Sequence, residues 1–323
     1  MELRGQMIKV VVAALCSFAT AMASGQEYPS RPVHIVVAWA PGGAVDTVTR
    51  IVGQKLSELW KQPIIVDNRG GAGGNIGADA VAKAVADGYT LLTTSNAIVI
   101  SPSLYKEMPY DARKDFIPLV QLTSSYFVLT AHQSLGVKGL KELIERAKSQ
   151  PGAIPYASVG LGSGQHLVME RLKGRAGIDL LHVPYKGDAS ATPALLSGEV
   201  KVALMTPNSV AAHVKAGRLV ALAVSKLTRS AVFEGVPTMA ETLPGFGDTG
   251  FQGLYAPAAT PSTVVAKIQR DVARVLAMPD VQERLAGGGF EPSNTTPDKF
   301  AARYHHEIET FAQVVRDARI PPQ

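Results

Sequence analysis

Disulfide cross-linking is the first thing excluded: the 323-residue chain holds one cysteine, Cys16, so its stability comes from packing alone. Cysteine-based zinc spacings fall with it. None of the seven histidines stands in an H-E-x-x-H pattern, and His305 and His306, side by side on an expected helix, point to different faces, so no metal site is expected. No serine sits in G-x-S-x-G, which removes the nucleophile elbow of an exported hydrolase. The glycine-rich turn 69–77, which opens a helix after a strand, is not spaced as G-x-G-x-x-G, and no Walker pattern occurs, so no nucleotide or other cofactor is expected. Charged residues are only 18% of the chain and leave a net charge of +5. Lysines and arginines lie singly, without aromatic interleaving, which argues against nucleic-acid binding. Beyond residue 23 no apolar run reaches the roughly 18 residues that a membrane span needs.

What is present begins with a leader. Residues 1–23 carry Arg4 and Lys9, an apolar run from Val10 to Met22, and Ala21-Met22-Ala23, the pattern of a cleaved secretory signal peptide. Cys16 lies inside it, after Leu15, where a lipoprotein leader has a small residue, so no lipid anchor is expected. The exported chain, 24–323, is long enough to bury a sizeable core, most naturally as two domains.

The stretch from His34 to Arg50 organises the rest. Val33, Ile35, Val36, Val37 and Trp39 make a short run of β-branched and aromatic residues, which predicts a buried strand. Pro41-Gly42-Gly43 breaks it. Val45, Val48, Ile51, Val52, Leu56 and Leu59 then recur at helical spacing, so the glycines lead into a helix whose free N–H groups face an approaching anion. Asp46, in the first helical turn, is a candidate general base, but a carboxylate at that position more often satisfies those N–H groups and the helix dipole.

The theme repeats along the chain. A strand over 63–68 enters the glycine-rich turn 69–77, a strand over 89–94 ends at Thr94-Ser95-Asn96, and strands are read at 115–119 and 127–130, ahead of a helix over 140–149. Pro155 to His166 and Leu181 to Ser190 are further strands that open through small residues into helices. Strands at 202–205 and 219–224 follow, then a crossing segment around Pro237, Pro244, Gly245 and Gly247, a strand at 250–256, and helices over 262–277, 279–285 and 297–317. This order predicts an α/β fold with mostly parallel sheets and several helix N-termini around one cleft.

Taken together, Tyr28-Pro-x-Arg-Pro-Val-x-Ile-Val-Val, Ala40-Pro-Gly-Gly-x-x-Asp46, Val66-Asp-Asn-Arg-Gly-Gly-Ala-Gly-Gly-Asn-Ile-Gly77, Asp87-Gly-Tyr-Thr-Leu, Tyr156-Ala-Ser, Gly162-Ser-Gly-Gln-His166, His182-Val-Pro-Tyr-Lys-Gly187 and Val236-Pro-Thr-Met-Ala-Glu241 resemble the substrate-binding proteins of tripartite tricarboxylate transporters, the Bug receptors. The resemblance spans essentially all of 24–323. It implies a two-lobe periplasmic binding protein fold of the second type, with the ligand cleft between the lobes. The first α/β lobe is expected over 24–126 plus 233–323 and the second over 127–232.

The resemblance also implies a function: a monomeric periplasmic receptor, not an enzyme, that closes on a small organic di- or tricarboxylate and delivers it to the large and small membrane subunits of such a transporter. Carried over by position, Pro41, Gly42, Gly43 and Asp46 form the first-lobe loop, with Ser95 and Asn96 beside it. Ser158, Gly162, Ser163 and His166 form the second-lobe turn, and Tyr185, Lys186 and Gly187, continuing through Asp188 and Ala189, the loop that receives the near carboxylate. Two positions depart from the family pattern. Trp39 stands for a smaller aromatic, which favours a flat ligand, an aromatic diacid such as terephthalate, or else simply packs in the core. Asp188 replaces glycine or serine, and its carboxylate is expected to point away into solvent, the alternative being a ligand that bears an amino or hydroxyl group. Competing readings are a carboxylate sensor that signals to a membrane receptor, and an exported hydrolase or lyase that uses Asp46 or His166.

Overall fold

The computed structural model describes residues 28–185, 187–247, 250–318 and 320–322. The expected signal peptide, Cys16 with it, and Lys186 lie outside the described residues. The chain opens with β1 (Val33–Val37), α1 (Ala44–Trp60), β2 (Ile64–Asn68), α2 (Asn75–Ala82), β3 (Thr90–Ser95), α3 (Ala97–Leu104) and the long β4 (Phe116–Ser125). A second set follows: β5 (Val128–His132), α4 (Leu140–Ser149), β6 (Pro155–Ser158), α5 (Gly164–Ala176), β7 (Leu181–Pro184), α6 (Asp188–Ser197), β8 (Val202–Met205), α7 (Pro207–Lys215), β9 (Leu219–Val224) and α8 (Met239–Thr242). The return is β10 (Gly250–Pro257), α9 (Ser262–Leu276), α10 (Pro279–Gly287), β11 (Glu291–Pro292) and α11 (Pro297–Asp317).

Two sheets result, ordered β11-β4-β10-β3-β1-β2 and β7-β6-β8-β5-β9. The two-residue period of the strands sorts side chains to opposite faces. In the first sheet, Ile35 and Leu91 pack with α1, α9 and α10, while Val36 and Leu92 pack with α2, α3 and α11. In the second, Leu129 and Leu204 face α4 and α5, whereas Val128 and Ala203 face α6 and α7. Each lobe is therefore a sheet between two helical layers.

Three expectations need correction. The sheets are mixed: β1 pairs in parallel with β2 and β3, and β6 with β7 and β8, but β10 runs antiparallel to both β3 and β4, and β5 antiparallel to β8 and β9. The reason is the crossing, since a chain that leaves a sheet along β4 and comes back along β10 returns head to tail. The strand read at 115–119 is in fact the start of that ten-residue crossing strand. Phe233, Met239 and Phe246, which a lobe boundary at 233 assigns to the first lobe, pack into the two cores of the second sheet; the chain re-enters the first sheet only at β10.

Contacts also bridge the lobes. Leu167 of α5 is buried within the first lobe's core, so part of the roughly 1.5–3 kcal/mol that burying a leucine contributes holds one lobe to the other. Asn208 Nδ2 donates to Gly288 O at 3.2 Å and Lys226 Nζ to Glu291 Oε1 at 2.6 Å.

Candidate functional site

Two adjoining cavities of about 740 and 500 Å³ lie between the sheets and share Trp39, Ser95, Asn96 and Phe127. They occupy the place where ligands bind in open α/β sheets, beyond the carboxyl ends of β1, β3, β6 and β8.

The first wall is the β1–α1 turn. Gly42 takes φ +77, a left-handed conformation glycine adopts without strain. Gly43 is the N-cap of α1 and has no side chain to accept from the first turn, so the amides of Ala44 and Val45 have no side-chain cap where these residues line the larger cavity. Asp46 does not join them. It is buried, and its oxygens accept from Gly42 N–H at 2.9 Å, Arg50 Nε at 3.0 Å and Asn68 Nδ2 at 2.9 Å. Burial alone would raise its pKa, but these hydrogen bonds outweigh burial and hold the carboxyl below its ordinary range. Asn68 Nδ2 also donates to Trp39 O at 3.1 Å, so Asp46 braces the turn from behind.

Beside that turn, Trp39 Nε1 donates to Thr94 Oγ1 at 3.3 Å, which sets its half-buried ring at the junction of the two cavities. Ser95 Oγ accepts from Ala97 N–H at 3.3 Å, and Asn96, the N-cap of α3, has no side-chain capping bond. Capping and cleft lining coincide at Ser95.

The smaller cavity is closed from the other lobe by 159–165. Gly162 has φ +73, and a Cβ there would meet Leu104 Cδ1 at 2.4 Å, so the two lobes touch at a glycine. Ser163 caps α5 by accepting from His166 N–H at 3.3 Å, and Gly162 N–H donates to His166 Nδ1 at 3.0 Å. His166 is thus a brace under the turn and lines neither cavity. Its ring stacks on His182 with centroids 4.0 Å apart, and burial, helped by the nearby His182 and Lys173, lowers its pKa to about 3. Ser158 is fully buried and bonds within the same turn, donating to Gly160 O at 3.0 Å and lying 2.7 Å from His182 Nε2.

The structure therefore brings Trp39, Gly42, Gly43, Ser95, Asn96, Gly162, Ser163 and Asp188 to the cavity walls. Pro41, Ser158, His166, Tyr185, Gly187 and Ala189 line neither, and Asp46 is spent internally. Tyr185 turns its hydroxyl to Glu199 Oε1 at 2.7 Å, Gly187 bends at φ +90 to start α6, and Pro41 in its turn and Ala189 in the first turn of α6 are exposed. Asp188 does not face solvent: its Oδ1 is buried without a partner among the described residues, its Oδ2 accepts from Thr206 Oγ1 at 3.3 Å, and burial raises its pKa.

Sequence reasoning missed much of the lining. Tyr126, Phe127, Phe251 and Gln252 come from the crossing strands and their junctions, Gly288, Gly289 and Phe290 from the turn after α10, and Thr206 and Asn208 from the β8–α7 turn. Only the last carried a usable signal, since Thr206-Pro-Asn-Ser is another strand-to-helix turn.

Residues 48–318 match the family model described as the tripartite tricarboxylate transporter family receptor. Among solved structures, a protein of R. palustris solved with adipate is 32% identical, covers 92% of this chain and 100% of its own, and superposes with a TM-score of 0.76. The periplasmic binding protein BugD is 32% identical over 92% of this chain and 100% of its own, with a TM-score of 0.73. MatC from Rhodopseudomonas palustris, with bound malate, is 31% identical over 89% and 100%, with a TM-score of 0.72.

Proposed function

Since this chain belongs to the tripartite tricarboxylate transporter receptor family and has the two-lobe α/β fold of its periplasmic binding proteins, we propose that it captures one small organic carboxylate in the periplasm and delivers it to the membrane subunits of such a transporter. The carrying observation is the cavity between two sheets, walled by the N-terminal turns of α1, α3, α5 and α7. Helix N-termini present N–H groups to an anion, and each charge-assisted bond contributes about 1.5–3 kcal/mol. A micromolar complex needs roughly 8 kcal/mol, so a few such bonds suffice.

Ligand from both sides favours closure. The amides of α1 and the 159–163 turn belong to different lobes joined by β4 and β10, and only a closed arrangement lets one ligand touch both. The protein acts as a monomer that performs no covalent step. Support for an aromatic ligand comes from Trp39, Tyr126, Phe127, Phe251 and Phe290, which all line the larger cavity. Whether a second carboxylate fits, as in terephthalate, turns on Asp188.

A thermal-shift screen of residues 24–323 against aliphatic and aromatic mono-, di- and tricarboxylates tests the reading. A ligand at 100 times its Kd adds about 2.7 kcal/mol of stability, which reads as a clear rise in Tm. Silence across every carboxylate would remove the basis for an anion-receiving cleft.

A further inference from the structure

We infer that the cavity selects a carboxylic acid bearing a hydrogen-bond donor, an amino or hydroxyl group, away from its carboxylate, and that Asp188 and Gln252 are the residues that read this donor. The inference rests on the carboxylate-receptor reading and narrows it.

Among the described residues that line either cavity, Asp188 is the one side chain with a formal charge, and that charge is negative. Its carboxylate is not consumed by the helix it opens. The amides of Ser190 and Ala191 bond to Gly187 O instead, and among the described residues Oδ1 is buried with no partner and Oδ2 has the Thr206 hydroxyl alone, at 3.3 Å. Buried polar atoms in folded proteins are nearly always paired, so each exception needs a cause.

A second exception lines the same cavity from the other lobe. Gln252 of β10 is 5% exposed, its Oε1 has no partner among the described residues, and in the sheet it stands in register with Ser95, itself a cavity residue. Two side chains that line one cavity thus each hold a buried acceptor without a partner among the described residues, which suits a ligand that donates. A second carboxylate would instead bring like charge to the half-buried Asp188, which disfavours ionisation of both groups. The uncapped amides of α1 supply the opposite chemistry and take the ligand's own carboxylate.

The test is calorimetric titration of the mature protein at pH 7 with matched probes: adipate against 6-aminohexanoate, and terephthalate against 4-hydroxybenzoate and 4-aminobenzoate. In whichever series binds, the donor-bearing acid is expected to bind at least tenfold more tightly than the diacid. Asp188→Asn, which preserves shape, should bring that ratio to within about threefold, and Gln252→Leu should weaken the donor-bearing acids while leaving the diacids within about twofold. Unfolding midpoints of both variants control for folding. Diacids binding as tightly as their donor-bearing partners, or a ratio unmoved in Asp188→Asn, would overturn the inference and leave the carboxylate receptor standing. No binding by any of these acids would overturn the inference, and joined to silence across the wider carboxylate screen it would overturn the receptor reading as well.

Discussion

His166 shows how a residue next to a ligand cleft can serve it without touching the ligand. Its Nδ1 accepts from Gly162 N–H, and its ring is stacked on His182 with Glu170 Oε1 3.9 Å from Nε2 and Lys173 near enough to raise the cost of protonation. An unfolded histidine takes its proton near pH 6.5, whereas here burial delays protonation to about 3. Between those values the unfolded chain binds a proton that the folded one refuses, so stability is full above pH 6.5 and falls as the pH drops below it. For one such group the loss from pH 7.5 to 5.5 is about 1.4 kcal/mol. His166→Asn keeps an acceptor for Gly162 N–H but does not titrate, so its urea midpoint should fall less than the wild type's over that interval. Equal slopes would mean that His166 is not the group that resists protonation. The family resemblance carries both His166 and Asp46 over as site residues, and both do belong to cleft turns. What spacing does not encode is which way a side chain faces, and each faces inward.

At the scale of elements, the strand-to-helix turns are the working parts. Their common chemistry is glycine or a small polar residue at the break, because backbone must approach the ligand and the first turn of the helix must keep its N–H groups free. Gly162 carries the tightest constraint: its left-handed φ of +73 and the 2.4 Å approach of a Cβ to Leu104 Cδ1 make it a contact point between lobes. Gly162→Ala should cost about 1–2 kcal/mol from the left-handed backbone alone and push Leu104 aside. Denaturation should register the first effect, and a severalfold weaker carboxylate affinity the second. An affinity equal to wild type would show that the 159–163 turn does not contribute to the closed cleft. These turns were legible because glycine-rich breaks between changes of hydrophobic period are local. The crossing strand β4 was not, since Pro118 and the polar residues Gln121, Thr123, Ser124 and Ser125 interrupt the apolar pattern, and all but Ser124 and Ser125 are nonetheless buried through pairing with β10.

For the whole molecule, the question is what holds the lobes together. Asn208 and Gly288, both lining the larger cavity, are hydrogen-bonded between the lobes, as are Lys226 and Glu291. Asn208→Ala removes one neutral hydrogen bond, worth about 0.5–1.5 kcal/mol, and should lower affinity roughly two- to tenfold. Asn208 also lines the cavity, so the decisive readout is X-ray scattering of the unliganded protein: the variant should be more extended than the wild type. Identical profiles would show that this hydrogen bond does not bias closure.

The sequence by itself determined the α/β class, most helix and strand positions, the glycine turns and, through its ordered motifs, the family, because all of these depend on periodicity and on residues close together in the chain. Only the tertiary structure decided which residues form the cleft. Tyr126, Gln252, Asn208 and Phe290 are far apart in sequence and meet because β4 and β10 carry the chain out and back. It also decided the direction of Asp188, whose carboxylate faces inward because the Thr206 hydroxyl at the end of β8 receives it there.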